Sequence, residues 1–128
     1  MAKFCSSAVL NAACTHIRDN VAKVAVCTSA STNTVASVQA NLIAETTLTT
    51  GASTSWTIAD SSVSGRKITM TAQSSITVSA TGVAQRVALY SSVSDLVYYV
   101  TECTTQAITD VANKVTIPAF SMHFYDAT

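Results

Sequence analysis

The sequence predicts a mainly β protein: an antiparallel β-sandwich or barrel of about eight strands that follows one N-terminal α-helix. One stretch with helical spacing of apolar residues opens the chain, and short β-branched segments separated by turn residues follow it. The chain has 128 residues, which is enough for one hydrophobic core, whereas two compact domains would each be marginal. We therefore expect a single domain over 1–128, with the helix in 1–21 and the β domain in 22–128.

The helix is predicted over 4–19, where Phe4, Ala8, Ala12 and Ile17 recur at helical spacing. Ser6 or Ser7 is suited to cap its start. Segment 29–40 is small and polar and is predicted as a loop or a weak edge. The strand segments share β-branched or alternating patterns: 22–28, 42–48, 54–59, 66–72, 76–80, 83–90, 95–103, and 114–117 leading through Pro118 into 119–125.

Apolar and hydroxyl residues alternate most clearly in segments 66–72 and 76–80. A turn is predicted between these segments, at Gln73 and Ser74. Such strands have one buried face and one wet face. Pro118 cannot donate to a sheet ladder, so it is expected at an edge, a strand start or a bulge.

Composition excludes several function classes. Seven basic residues balance seven acidic ones and charged residues make up only 11% of the chain, so a basic nucleic-acid-binding face is not expected. No apolar run approaches the roughly 20 residues that a membrane span needs, and the start lacks the apolar region of a signal peptide. Hydroxyl residues replace the charges, with 17 Ser and 20 Thr. Such a neutral surface repels other copies weakly and suits a protein that ends in an assembly.

Cysteine and histidine spacing predicts neither a metal site nor a cofactor site. None of the four cysteines forms a C-x-x-C pair, and the two histidines lie far apart. Cys5 and Cys14 are out of phase on the predicted helix and cannot bridge each other. Cys27 and Cys103 lie in predicted strands, so a disulfide between them requires those strands to be neighbours. The alternative is that both are reduced core thiols.

The sequence predicts no catalytic site, and we expect that the protein is not an enzyme. It contains no G-x-S-x-G elbow, and its three glycines stand singly, so no phosphate-binding loop is present. Acidic residues fall at predicted strand ends or loops, where they usually serve turns. A small hydrolase is the alternative to this expectation, for which Asp60, Glu102 and His123 are the candidate residues.

Aromatic residues concentrate in the last third of the chain. Alternation places Phe120, Met122 and Phe124 on a core face, with Ser121, His123 and Tyr125 on the opposite face. The exposed aromatic positions predicted as an interface are Tyr98, Tyr99, His123 and Tyr125. Tyrosine is favoured at interfaces, but it is also common on half-buried sheets, so both readings stay open.

Several segments resemble the small structural proteins of tailed bacteriophage particles. They are AVLNAA (8–13) leading to KVAVC (23–27), WTIAD (56–60) through SGRKITM (64–70), GVAQRVALY (82–90), YVTECTTQ (99–106) and VTIPAF (115–120). They are distributed along the chain from residue 8 to residue 120. They are signatures of strands and turns, so the resemblance brings no catalytic residues with it. Cys5 and Cys14 depart from what the resemblance leads us to expect.

The resemblance implies a virion structural protein, made in the host cytoplasm without a signal peptide. The leading expectation is a capsid decoration (cement) protein that binds the major capsid protein or other virion proteins, with no nucleic-acid or membrane partner. Copies are expected to associate as trimers or dimers. The alternative is a tail, neck or fibre component that serves as an adaptor or contacts a receptor.

Overall fold

The structure is a computed structural model that describes residues 5–28, 33–51, 55–61 and 64–125. The fold class is the predicted one, mainly antiparallel β with an N-terminal helix. The described residues form two helices and nine strands, in the order α1 (Ser7–Asn20), β1 (Lys23–Cys27), α2 (Val35–Ala40), β2 (Leu42–Thr47), β3 (Trp56–Asp60), β4 (Arg66–Met70), β5 (Gln73–Thr77), β6 (Gly82–Ser91), β7 (Leu96–Ile108), β8 (Lys114–Ile117) and β9 (Phe120–Phe124).

The chain divides into two compact units. The first unit comprises Met1–Asn20, Thr49–Ala72 and Pro118–Thr128, and the second comprises Val21–Leu48 and Gln73–Ile117. The N-terminal helix therefore groups with β3, β4 and β9 and does not stand apart from the β segments. The single domain expected over 1–128 stays a prediction.

The first unit contains a three-stranded antiparallel sheet in the order β3-β4-β9. Helix α1 packs against β3 and β4 through its buried residues Leu10, Cys14 and Ile17. The predicted apolar stripe was wrong for Ala8 and Ala12, which are exposed, because the larger Leu10 and Cys14 side chains bury more apolar area against the sheet. As predicted, Ser6 caps the helix: its Oγ accepts a hydrogen bond from the backbone N–H of Val9 at 3.3 Å. The predicted first residue of the helix, Phe4, lies outside the described residues.

The second unit contains a four-stranded antiparallel sheet in the order β2-β1-β6-β7 and a two-stranded sheet of β5 and β8. Strand β1 is almost continuously apolar and buried, because β2 and β6 flank it on both sides. One face of the larger sheet packs on α2. The residues of that core cluster are Ala25, Cys27, Val35, Val38, Ala88 and Tyr90, with Leu42, Val97 and Val100 packed against it.

The prediction of a loop or weak edge over 29–40 was wrong for its described end, because Val35–Ala40 is helical. Residues 29–32 lie outside the described residues. Thr34 caps this helix in a capping box: its side chain accepts from the Ser37 backbone N–H, while the Ser37 side chain accepts from the Thr34 backbone N–H. The capping box and the burial of Val35 and Val38 outweigh the weak helix propensity of this short polar segment.

The predicted turn at Gln73 and Ser74 was also wrong, since both residues belong to β5. The alternating strands β4 and β5 do not pair with each other; β4 pairs with β3 and β9, and β5 pairs with β8. The last strand segment divides at Pro118, which lies directly between β8 and β9. That position agrees with the expected exclusion of proline from a ladder.

Candidate interaction surface

The two faces of the three-stranded sheet differ in what covers them. Arg66 lies on the face toward α1, where its Nε and Nη2 donate to Asn11 Oδ1 at 3.2 and 3.1 Å and its Nη1 donates to Asp60 Oδ1. Strand alternation places Ile68 and Met70 on the same face, and both are fully buried. Helix α1 thus covers this face of the sheet and does not cover the opposite face.

The opposite face, called here the hydroxyl face, consists of three rows across β3, β4 and β9. Register and alternation place these residues on it: Thr57, Thr69 and Ser121 in the first row, Ala59, Lys67 and His123 in the second, and Ser61 and Tyr125 beyond them. Thr69 Oγ1 and Ser121 Oγ hydrogen-bond at 2.6 Å. Thr57, His123 and Tyr125 are exposed, and the others are half-buried. The face is therefore polar and partly exposed to solvent.

A ring pair stands at one end of the hydroxyl face. The rings of His123 and Tyr125 are stacked, with centroids 5.6 Å apart and planes inclined by 13°. Ser61 Oγ and His123 Nδ1 are hydrogen-bonded at 3.0 Å, which fixes the imidazole from the side of β3. Tyr125 remains 55% exposed. Because the two adjacent rings are already held in one orientation, a partner that packs on them loses less side-chain conformational entropy on binding.

Lys67 gives the hydroxyl face its charge. The described ion pairs lie elsewhere: Arg18 with Asp19, Lys23 with Glu45, and Arg66 with Asp60. Among the residues that the structure describes, none bonds to the Lys67 ammonium, and no carboxylate belongs to the three rows. Alternation in β4 is the sequence signal that places Lys67 on the face opposite Ile68.

The four residues predicted as an interface divide between the two units. His123 and Tyr125 form the ring pair of the first unit, whereas Tyr98 and Tyr99 lie in β7 of the second. The Tyr98 hydroxyl bonds Ser94 Oγ at 3.0 Å, and Tyr99 is 36% exposed. Their role in an interface stays a prediction for both pairs. On the predicted core face of β9, Met122 is buried and Phe120 and Phe124 are half-buried.

The sheet order does not meet the condition set for a Cys27–Cys103 disulfide, which was that their strands be neighbours. Cys27 lies in β1 and Cys103 in β7, and β6 lies between these two strands. Two strand spacings separate their Cα atoms by about 9–10 Å, beyond the roughly 7 Å that a disulfide spans. All four cysteines are free thiols. Cys27 is fully buried, with its Sγ 3.8 Å from the Val38 carbonyl oxygen.

Burial also governs the ionisation of these thiols. Burial raises the pKa of Cys27 to about 11, and the negative charges of Glu45 and of a Cys103 thiolate act in the same direction. Burial raises the pKa of Cys14, which the Arg66 guanidinium partly offsets. The pKa of Cys103 is likewise raised by burial. None of these three thiols has the lowered pKa of a reactive nucleophile.

A small cavity of about 130 Å³ opens where β7 bulges away from β6. Gln85 alone stands between the paired residues Ala84 and Arg86, whereas residues 103–105 stand between their partners Gln106 and Glu102. The lining residues are Gln85, Arg86, Glu102, Cys103 and Thr105. Bulges of this kind bend an edge strand and hinder its pairing with another chain.

The three candidate hydrolase residues have different neighbours. Asp60 pairs with Arg66 on the helix side of its sheet, and His123 bonds Ser61 on the opposite face. Glu102 belongs to the other unit, beside the bulge cavity. Within the described ranges, no three His, Cys, Asp or Glu side chains gather closely enough to hold a metal ion.

Comparison with known proteins gives no relative. No protein-family model, no curated protein and no solved structure matches this chain. A search of the described residues finds no helix long and apolar enough to cross a membrane.

Proposed function

We propose that this chain is a structural protein of a tailed bacteriophage particle, and specifically a decoration (cement) protein that binds the head lattice through protein–protein contacts. The observation that carries the proposal is the hydroxyl face with its ring pair. A fixed His123–Tyr125 stack beside rows of Thr and Ser supplies the aromatic and hydroxyl contacts common at protein interfaces. The assignment to a phage particle rests on the resemblance in the sequence.

Such a protein acts by linkage. A chain that binds the assembled shell, and not its separated subunits, shifts the equilibrium toward the shell in proportion to its binding free energy. Zero formal net charge and a hydroxyl-rich surface favour close packing of many copies, because long-range repulsion between them is small. Self-association as a trimer or dimer belongs to the same proposal.

The experiment adds the purified chain to heads prepared without it and measures co-sedimentation and the temperature at which the shell opens. Saturable binding together with a raised opening temperature supports the proposal. A chain that stays monomeric and does not bind such heads rules out the decoration role.

The second candidate is a tail, neck or fibre component that contacts a receptor. It is favoured by the stacked ring pair, since aromatic rings flanked by hydroxyl groups also suit contact with carbohydrate. Binding to isolated tails, or to host envelope glycans, with no binding to heads would favour this candidate over the first.

A further inference from the structure

The hydroxyl face carries a positive charge with which no described residue of its unit forms an ion pair. Lys67 is half-buried in the central strand, between Ala59 on β3 and His123 on β9. No described carboxylate pairs with its ammonium, so this charge is available to an anionic partner. The three rows contain no carboxylate among their described residues, although the whole chain has as many acidic as basic residues.

The remaining polar groups of the face are mostly able to donate. An ammonium has donors and no acceptor, and hydroxyl groups of Thr, Ser and Tyr donate as well as accept. Ser61 Oγ and His123 Nδ1 share a hydrogen bond, so the ring nitrogen turned away from Ser61 is Nε2. Donors gathered around a cation match an anion with several acceptor lone pairs, and a carboxylate is such a group.

We propose that the hydroxyl face binds a carboxylate-bearing segment of another protein, with an Asp or Glu side chain seated at Lys67 and the neighbouring chain packed on the His123–Tyr125 rings. This inference rests on the proposed function, for which it names the contact surface and the chemistry of the partner. Charge complementarity selects this partner: a basic or neutral segment would leave the Lys67 ammonium without a counter-charge.

The experiment titrates the full chain, labelled with ¹⁵N, with an acetylated and amidated tetraglutamate peptide at low salt. We expect saturable amide shifts centred on β4 and β9 and their loss in about 1 M salt, where the Debye length is about 3 Å. Lys67→Gln should weaken binding about two- to five-fold, as expected for one exposed charge pair, whereas Lys67→Arg should bind like the unaltered chain.

Two controls make the test specific. Lys114→Gln removes the same charge from the second unit, where Lys114 Nζ bonds Thr77 Oγ1, and should leave binding unchanged. Tetraglutamine of the same length should not bind. Equal binding of tetraglutamine, equal effects of Lys67→Gln and Lys114→Gln, or shifts confined to other strands would each overturn the inference.

Failure of the inference is distinct from failure of the proposed function. If the chain binds heads but tetraglutamate does not shift the hydroxyl face, the carboxylate contact is wrong and the structural role stands. If the chain does not bind heads, the proposed function fails whatever the peptide does. A dextran sulfate titration that saturates the same amides, with no shift from tetraglutamate, would replace the protein partner with a sulfated glycan and overturn the inference.

Discussion

The hydroxyl of Tyr90 donates a hydrogen bond to Glu45 Oε2, and Lys23 Nζ holds the other oxygen of that carboxylate at 3.1 Å. Tyr90 is fully buried, whereas Glu45 and Lys23 have side chains that are 28% and 32% exposed. The bond joins β6 to β2 across β1, so it ties together three of the four strands of the larger sheet.

Removing that hydroxyl should destabilise the protein. Tyr90→Phe leaves a charged acceptor with one partner fewer, and we expect the free energy of unfolding to fall by about 1.5–3 kcal/mol, the range for hydrogen bonds to charged groups. Urea unfolding followed by circular dichroism measures it. The matched control is Tyr98→Phe, whose hydroxyl bonds the neutral Ser94 at an exposed site and should cost less than about 1 kcal/mol. Equal losses in the two variants would contradict the account.

Stability should fall as the pH rises above about 9. Burial raises the pKa of Cys27 to about 11, and burial followed by the bond to Glu45 raises the pKa of Tyr90. Unfolded, these groups lose their protons near their ordinary pKa values of 9 and 10, while the folded protein keeps them. The unfolded state then binds fewer protons, so the stability present below pH 9 declines through this window.

The measurement is urea unfolding in reductant from pH 7 to 11. The slope against pH should become shallower in Cys27→Ala and in Tyr90→Phe, because each removes one of the raised groups. If the free energy of unfolding stays level or increases between pH 9 and 11, the pKa values of Cys27 and Tyr90 are not raised in the folded protein.

Thiol reactivity should separate the four cysteines into two classes. Cys14 and Cys27 are fully buried, whereas Cys5 and Cys103 are half-buried. With a thiol-specific reagent at pH 8 in native buffer, we expect modification of Cys5 and Cys103 and protection of the other two until the protein unfolds. Peptide mapping identifies the sites. Rapid modification of Cys27 in the folded protein would contradict its place in the core beneath α2.

The cap of α2 should contribute about 1 kcal/mol to stability. Thr34→Ala removes the side-chain acceptor for the Ser37 backbone N–H, and N-cap losses of this kind cost about 0.5–2 kcal/mol. Thr34→Ser keeps the hydroxyl and should remain close to the unaltered protein. Thermal unfolding of the two variants checks this, and an indistinguishable pair would mean that the capping box does not hold the helix.

Sequence reasoning recovered the elements whose residues carry local patterns. Alternation in β4 and β9 correctly separated Ile68 and Met122 from the polar positions. Helical spacing found α1 but not its buried face, since two of the predicted positions are exposed. It missed α2, because six residues of modest propensity become helical only through the Thr34 cap and packing on the sheet.

The order of the strands in the sheets could not be predicted from the sequence, for a different reason. Each strand pattern reports which of its own faces is buried, but it contains no information about which strand lies beside it. A Cys27–Cys103 disulfide required such a neighbour relation, and β6 lies between the two strands, which leaves the alternative of reduced thiols. The meeting of Ser61 with His123, 62 residues away in sequence, depended on the β3-β4-β9 order in the same way.

The ring pair should matter for binding to the particle and not for folding. His123→Ala combined with Tyr125→Ala removes exposed rings, so the free energy of unfolding should change by less than about 0.5 kcal/mol for each substitution. Binding to heads prepared without the chain should fall by at least about ten-fold, as for the loss of aromatic interface anchors. Val93→Ser, which alters a side chain 93% exposed in the β6–β7 turn, is the control and should bind normally.

The central claim, that this chain is a decoration protein of a phage head, is tested most directly by its copy number in purified particles. Quantitative mass spectrometry would compare peptides of this chain with those of the major capsid protein. The account predicts on the order of hundreds of copies, as expected for a protein that repeats with the symmetry of the lattice. A handful of copies would contradict the head location in favour of the tail or neck, and absence from the particle would contradict the structural role altogether.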